Sequence, residues 1–259
     1  MDYFEKLEKN PYEDLMWNIS EQKQGTVNVI GGSVNNFRNE IKIAEFLSEK
    51  YPLQSVNTVL PDGLKNKLPL LPNIIFAPST ESGTFDDSQK LYDLFNTVDF
   101  NLVLGDFSKN AVTGKAITGA CRSTEKMTLI TRDGVDLITE NSPEKLMMNE
   151  NLVAFASIAQ LIKLLRAVYY PKMLLISQSL VQVADVLHKF TLSYPLSIIT
   201  LHNGQILVAE NGLVKAVTLD KTEYTPLTIW NGELASKIMA MNIYSPNQFI
   251  KASVAAIFE

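Results

Sequence analysis

The chain has 259 residues, 46% apolar and 20% charged, with a formal charge of −5. That length holds one large α/β domain or two small ones around a sizeable core, and the composition excludes global disorder. The acidic balance argues against a protein that lives on nucleic acid, because no basic face offsets it, and leaves room only for a local basic patch.

Residues 1–24 read as a helical or partly irregular leader packed on the domain, with Tyr3, Phe4, Leu15, Met16 and Trp17 as apolar anchors. Its opening, MDYFEKLEKNPYEDL, is too acidic and polar for a signal peptide. Thr26–Ser33, TVNVIGGS, then runs apolar to Val29-Ile30 and breaks on Gly31-Gly32-Ser33. Paired glycines at a strand end free the backbone to turn and let a ligand approach, and open α/β sheets collect ligands at such ends. An ordinary tight βα connection explains the same residues. The continuation, Val34-Asn35-Asn36-Phe37-Arg38, is not GxGxxG, and GxxxxGK[ST] occurs nowhere, so Rossmann and Walker phosphate loops are not supported.

Phe37, Ile41, Ala44 and Leu47 share one helical face, and the helix stops before Tyr51-Pro52. Ser55–Leu60 reads as a second strand and residues 64–72 as a short helix and loop. Ile74–Phe76 is a third strand, followed by a helix from about Asp86 to Val98 and a fourth strand at Phe100–Leu104, ending at Gly105-Asp106. Residues 109–121 suit a helix and Met127–Ile130 a strand, ending at Thr131-Arg132-Asp133-Gly134. Strands that alternate with helices and read as continuous apolar runs predict a parallel sheet covered on both faces. A long helix is expected over Glu150–Tyr169, with a strand at Lys172–Ile176 and a helix at Leu180–Lys189. Within it, the longest apolar stretch, Leu152–Leu165, is too short and too polar to span a bilayer. Ser197–Leu201 and Gln205–Ala209 flank His202-Asn203-Gly204 as a hairpin, and Asn211-Gly212 turns into a strand at Val214–Leu219. Two helices, about Asn231–Met241 and Pro246–Phe258, close the chain. No Gly/Ser/Pro linker and no internal repeat is visible, which favours a single domain over 1–259.

This order of elements, with VIGGS on the first core strand and a late hairpin before two terminal helices, resembles the ribokinase-like superfamily. Within it the chain is most similar to the ADP- or ATP-dependent NAD(P)H-hydrate dehydratases, over roughly residues 24–258. The resemblance implies a three-layer αβα fold whose mostly parallel sheet ends in an antiparallel C-terminal edge. It implies substrate contacts at Gly31, Gly32, Ser33, Gly105, Asp106 and Asp133, and nucleotide contacts at His202, Asn203, Gly204, Asn231 and Gly232. ADP or ATP would be the cofactor, with Mg as a companion. The motifs are eroded. A Gly-Ala pair that follows GGS in the family is replaced around Asn39-Glu40, and the GPGLG-like loop departs at Asp106-Phe107-Ser108. The DAD-like run keeps only Asp133, and LTPHPGE falls on Ile176–Gln182, ISQSLVQ, with none of its histidine, glycine or acid. The family's GxGD turn, which supplies an anion hole and a proton-transfer base, falls on Trp230–Ser236. Aligned without gaps, Gly232 takes the place of the aspartate, and only a one-residue slip brings Glu233 into the catalytic role of that base.

Other residues admit plain structural explanations. His202 contacts a nucleotide or faces solvent in its turn, and His188 decorates a helix end. Asp86-Asp87 caps a helix start. Asp133 and Asp136 hold a substrate hydroxyl or cap a helix. Cys121, the single cysteine, has no partner for a disulfide, a zinc site or a thiol mechanism, and fits a reducing compartment. Three functions follow: a nicotinamide-repair dehydratase, a small-molecule kinase of the same superfamily, or a non-catalytic descendant that binds nucleotide or assembles. A cytoplasmic protein with a small-molecule nucleotide ligand and no nucleic-acid or membrane partner is expected, and its apolar helices permit a homo-oligomer.

Overall fold

The computed structural model describes residues 2–19, 21–69, 71–108, 110–141, 143–219 and 229–259. Its strands are β1 (Phe4–Leu7), β2 (Gln24–Gly31), β3 (Leu53–Pro61), β4 (Ile74–Ala77) and β5 (Phe100–Gly105). They continue as β6 (Met127–Thr131), β7 (Leu152–Ser157), β8 (Ser197–His202), β9 (Gln205–Glu210) and β10 (Leu213–Thr218). Among the described residues these ten form one sheet, ordered β1-β10-β9-β8-β7-β6-β5-β2-β3-β4. From β4 to β8 every neighbouring pair is parallel, and β8-β9-β10 is an antiparallel meander. The sequence pattern explains why. Central strands with no polar face, such as Leu102-Val103-Leu104, must be covered on both sides. Leu102 and Leu104 enter one core and Val103 the other; Val153 and Phe155 oppose Ala154 and Ala156 in the same way.

One face is covered by α1 (Arg38–Lys50), α8 (Glu233–Tyr244) and α9 (Phe249–Phe258). The other carries α2 (Gln89–Asn96), α3 (Ala111–Ser123), α4 (Asp133–Glu140), α5 (Pro143–Met147), α6 (Ile158–Ala167) and α7 (Leu180–Ser193). The result is the expected three-layer αβα arrangement. Helix α8 is buried along its length because it lies against β2, β5 and β6 and is flanked by α1 and α9.

Four expectations are corrected. The leader is a strand in part: β1 pairs in parallel with β10, adding an edge beyond the hairpin. Of its anchors, Leu15 is buried but Trp17 is 87% exposed. Residues 150–169 are not one helix. Leu152–Ser157 is β7, inserted between β6 and β8, and α6 begins only after it. Ser157, which interrupts the apolar run, is the N-cap of α6 in a reciprocal capping box with Gln160. An apolar run of five residues suits a buried strand or a buried helix equally, and here two waiting strand edges decide. With that slot filled, Lys172–Ile176 forms no strand, and Met173 and Ile176 are each 68% exposed. Lys109, the expected start of α3, lies outside the described residues. Nor do Asp86-Asp87 cap α2: Ser88 does, accepting from the Leu91 N–H.

Phe155→Ala is expected to lower unfolding free energy by about 3–5 kcal/mol in a urea titration, because Phe155 is 1% exposed in the middle of β7. Tyr169→Ala, at 89% exposure, is expected to stay within about 0.5 kcal/mol.

Candidate functional site

The carboxyl ends of β2, β5 and β6 converge on one edge of the sheet. The β2–β5 ladder slips there: Ile30 pairs with Val103 but Gly31 with Gly105, so Leu104 is an extra residue in β5. Such a bulge re-aims the chain at a strand end. The Gly32 N–H donates to the Gly105 carbonyl at 2.8 Å, and the Ser33 N–H closes a tight turn on the Asn36 carbonyl at 2.6 Å. Gly31 has no room for a side chain, since a Cβ there would stand 2.5 Å from the Gly105 oxygen. Gly105 has φ +114° and its missing Cβ would collide with Asp133 Oδ1. That oxygen accepts the Asp106 N–H at 2.8 Å.

Asp106 and Arg132 form a bidentate pair, Nη1 to Oδ2 at 2.8 Å and Nη2 to Oδ1 at 2.5 Å. Both residues have positive φ, 57° and 55°. A non-glycine residue held there costs on the order of 1–3 kcal/mol, which the fork-to-fork ion pair helps offset. From below, Gln160 Nε2 donates to the Arg132 carbonyl at 2.6 Å and to Asp136 Oδ2 at 2.8 Å. Asp136 also takes Lys163 at 3.0 Å, so it ties α4 to α6 and is spoken for structurally.

Between the two glycine strand ends lies Glu40, from the first turn of α1. It is fully buried, its Oε1 is 2.7 Å from where a Gly31 Cβ would stand, and neither carboxyl oxygen has a hydrogen-bond partner. Burial, then the charge of Asp106, pushes the Glu40 carboxyl up to about 8, with its own backbone N–H and then Arg132 opposing. Burial likewise raises Asp133 above the ordinary carboxylate range, against the Asp106 N–H and Arg132. Neither Glu40 nor Arg132 is assigned a role by the sequence motifs. The signal for Glu40 was its place where the resemblance calls for Gly-Ala.

The structure therefore brings Gly31, Gly32, Ser33, Gly105, Asp106 and Asp133 together. The expected nucleotide residues divide. Gly232, left-handed at φ +97°, is the N-cap of α8 and packs on Leu104, while the Asn231 carbonyl accepts from Asn39 Nδ2 at 2.8 Å. Both belong to the β5–α1 side. Glu233 is the first residue of α8, half-buried, its N–H donated to Asn231 Oδ1 at 2.9 Å. His202, Asn203 and Gly204 lie at the end of β8, three strands from β5 and so roughly 14 Å away at ordinary strand spacing. His202 is not a solvent-facing turn residue: it is 4% exposed with Nε2 at 2.8 Å from the Gln178 carbonyl. Asn203 and Gly204 are exposed, and a Cβ on Gly204 would meet nothing within 4 Å. His188 also has a structural place, stacked on Tyr3 with ring centroids 3.8 Å apart. Cys121 is fully buried and burial pushes its thiol up to about 12, which leaves it inert. A cleft lined by Asp99, Met127, Asn151, Ser197 and Glu210 lies on the opposite, amino-terminal edge of the sheet.

Among the described residues no group of three His, Cys, Asp or Glu side chains converges to hold a metal, and no helix is long and apolar enough to cross a membrane.

The chain has the ribokinase-like fold. A ribokinase-like superfamily protein from Enterococcus faecalis superposes with a TM-score of 0.69 at 14% identity, covering 100% of this chain and 86% of that one. An ADP/ATP-dependent NAD(P)H-hydrate dehydratase from Bacillus subtilis, crystallised with ATP and Mg, gives 0.60 at 12% identity, covering 91% and 80%. Thermotoga maritima ribokinase gives 0.56 at 10% identity, covering 91% and 93%. No family model and no curated protein matches the sequence.

A carboxyl raised from the ordinary 4.5 to about 8 adds stability that is complete below pH 4.5 and is lost as pH rises through about 8. Glu40→Gln removes that dependence. Relative to wild type, its unfolding free energy is expected to climb between pH 5 and pH 9 by up to about 4 kcal/mol. Parallel pH–stability curves for the two proteins would show that Glu40 carries no such shift.

Proposed function

We propose that this chain is a divergent ribokinase-like protein of the NAD(P)H-hydrate dehydratase type that binds ADP or ATP and has lost turnover of hydrated NAD(P)H. The observation that carries the reading is the state of the substrate end. The strand-end groups that would meet a nicotinamide ring are engaged with one another: Asp106 with Arg132, the Asp106 N–H with Asp133, and Glu40 over Gly31. Strong internal pairs must be broken before a ligand can use them, and a ligand that cannot repay them does not bind.

The nucleotide end is better suited to its ligand. Exposed Asn203 and Gly204 offer backbone with open space above it, and on the β5–α1 side the amino end of α8 offers the helix-terminal N–H groups that follow Glu233, whose own is taken by Asn231 Oδ1. Glu233 in the first turn of α8 works against a bare phosphate, and a Mg-bound nucleotide relieves that repulsion. With no cluster of protein ligands described, such a Mg would be held chiefly by the phosphates themselves. Co-crystallisation of the Bacillus subtilis dehydratase with ATP and Mg supports this choice of ligand.

A second reading rests on Glu233 alone. It follows the glycine directly at the start of α8, the glycine-then-acid order that the resemblance associates with a proton-transfer base. This keeps phosphoryl transfer to a small hydroxyl compound open as a function of the same fold. A cytoplasmic setting and a homo-oligomer accompany either reading as proposals.

Thermal unfolding with millimolar ADP, ATP or NADPH tests the first reading. A nucleotide at 100-fold over its dissociation constant adds about 2.7 kcal/mol, which is roughly 5–10 °C for a chain of this size. The expected result is a shift with ADP or ATP, none with NADPH, and no ADP- or ATP-driven loss of hydrated NADH. No nucleotide shift, or steady dehydration, overturns it. Gly232→Asp is expected to restore no turnover and to lower the midpoint, because φ +97° strains any side chain and Leu104 already fills the space.

A further inference from the structure

We propose that Glu40 is a proton-operated plug that closes the Gly31–Gly105 end of the ligand edge while it is neutral and opens it when it ionises. The geometry comes first. The side chain is fully buried, its Cγ and Oε1 lie 3.0 and 2.7 Å from the Gly31 Cβ position, and both oxygens are without partners. It occupies the gap between two strand ends that glycine leaves open. In a mostly parallel sheet that gap is on the ligand-collecting edge.

The charges around the plug favour its neutral form. Asp106, from the β5–α3 loop, and Asp133, at the start of α4, repel an ionised Glu40. Arg132 attracts it but is engaged in both its forks by Asp106. On α8, which packs against α1, the charged residues are Glu233 and Lys237. On α1 itself the charged neighbours in sequence are Arg38, Lys42 and Glu45. A carboxylate held without hydrogen bonds is expensive to bury, so ionisation and this position exclude each other.

An exit is available. Glu40 is the third residue of α1, and the helix begins on Phe37 with no side-chain cap. Outward movement of the first turn breaks one tertiary hydrogen bond, Asn39 Nδ2 to the Asn231 carbonyl at 2.8 Å, and at the helix amino end a solvated glutamate is favoured by the macrodipole. Opening uncovers Gly31, against which Glu40 lies, and loosens the turn that follows it, where Ser33 is 3% exposed in the closed form. The inference concerns access to this end and rests on the proposed function only for the identity of the ligand.

The test needs no ligand. Ser33→Cys is placed in the full chain, alone and combined with Glu40→Gln or Glu40→Ala, and labelled with a thiol reagent at pH 6.5 and pH 9. Cys121, fully buried in the core, reports global unfolding in the same tube. Comparing variants at one pH cancels the reagent's own pH dependence. At pH 9 the Glu40 protein is expected to label at least tenfold faster than the Gln variant, with Cys121 unmodified. At pH 6.5 the two label alike, and the Ala variant is faster than both. Equal rates for Glu40 and Gln at pH 9, or an Ala variant no faster at pH 6.5, overturn the plug. Should Ser33→Cys not fold, hydrogen exchange at the Gly32 and Ser33 amides in wild type and Glu40→Gln gives the same comparison. Failure of adenine nucleotide to bind leaves these rates untouched, so the two ideas fail separately.

Discussion

The meeting of β2 and β5 at Gly31 and Gly105 is the constraint on which the rest of the site depends. A parallel ladder brings two strand ends side by side, and the extra residue at Leu104 draws the Gly105 carbonyl over Gly31. That approach is possible only without side chains. It creates the gap that Glu40 fills, and it turns the chain so that the Asp106 N–H reaches Asp133. Substituting either glycine would move a strand end and every contact built on it.

Charge follows from that geometry. Glu40, Asp106 and Asp133 stand around one guanidinium, and Asp106 takes the bonds of both its Nη atoms. The strained backbone at Asp106 and Arg132 belongs to the same logic, since a left-handed residue persists only where its surroundings over-determine it. Gln160, set by the N-cap of α6, fixes Arg132 from beneath and so links β7 to the ligand edge. The β7–α6 boundary is thus part of the site's support.

The likeness to ribokinase-like structures accounts for the layers and for the edge on which ligands are sought. At 10–14% identity in the structures described, it fixes no substrate. What distinguishes this chain lies where the resemblance is broken, at Glu40, Asp106, Arg132 and Gly232. These are the residues whose contacts are internal rather than open.

The sequence by itself determined the fold class, because apolar strands alternating with amphipathic helices admit little else, and the Gly31-Gly32 and His202–Gly204 turns are carried by local backbone chemistry. The resemblance, not the residue pattern alone, grouped Gly31, Gly105 and Asp133, through a motif order that tracks adjacent strands. Only the tertiary structure decided the identity of Leu152–Ser157. An apolar pentad has no intrinsic preference, and a vacancy between β6 and β8 selects the strand. It decided equally that His202 turns inward, that β1 completes the sheet edge, and that Glu40 lies buried. These depend on which distant segments arrive alongside, and burial of a charged residue has no local signature, because the penalty exists only once the neighbours have removed its water.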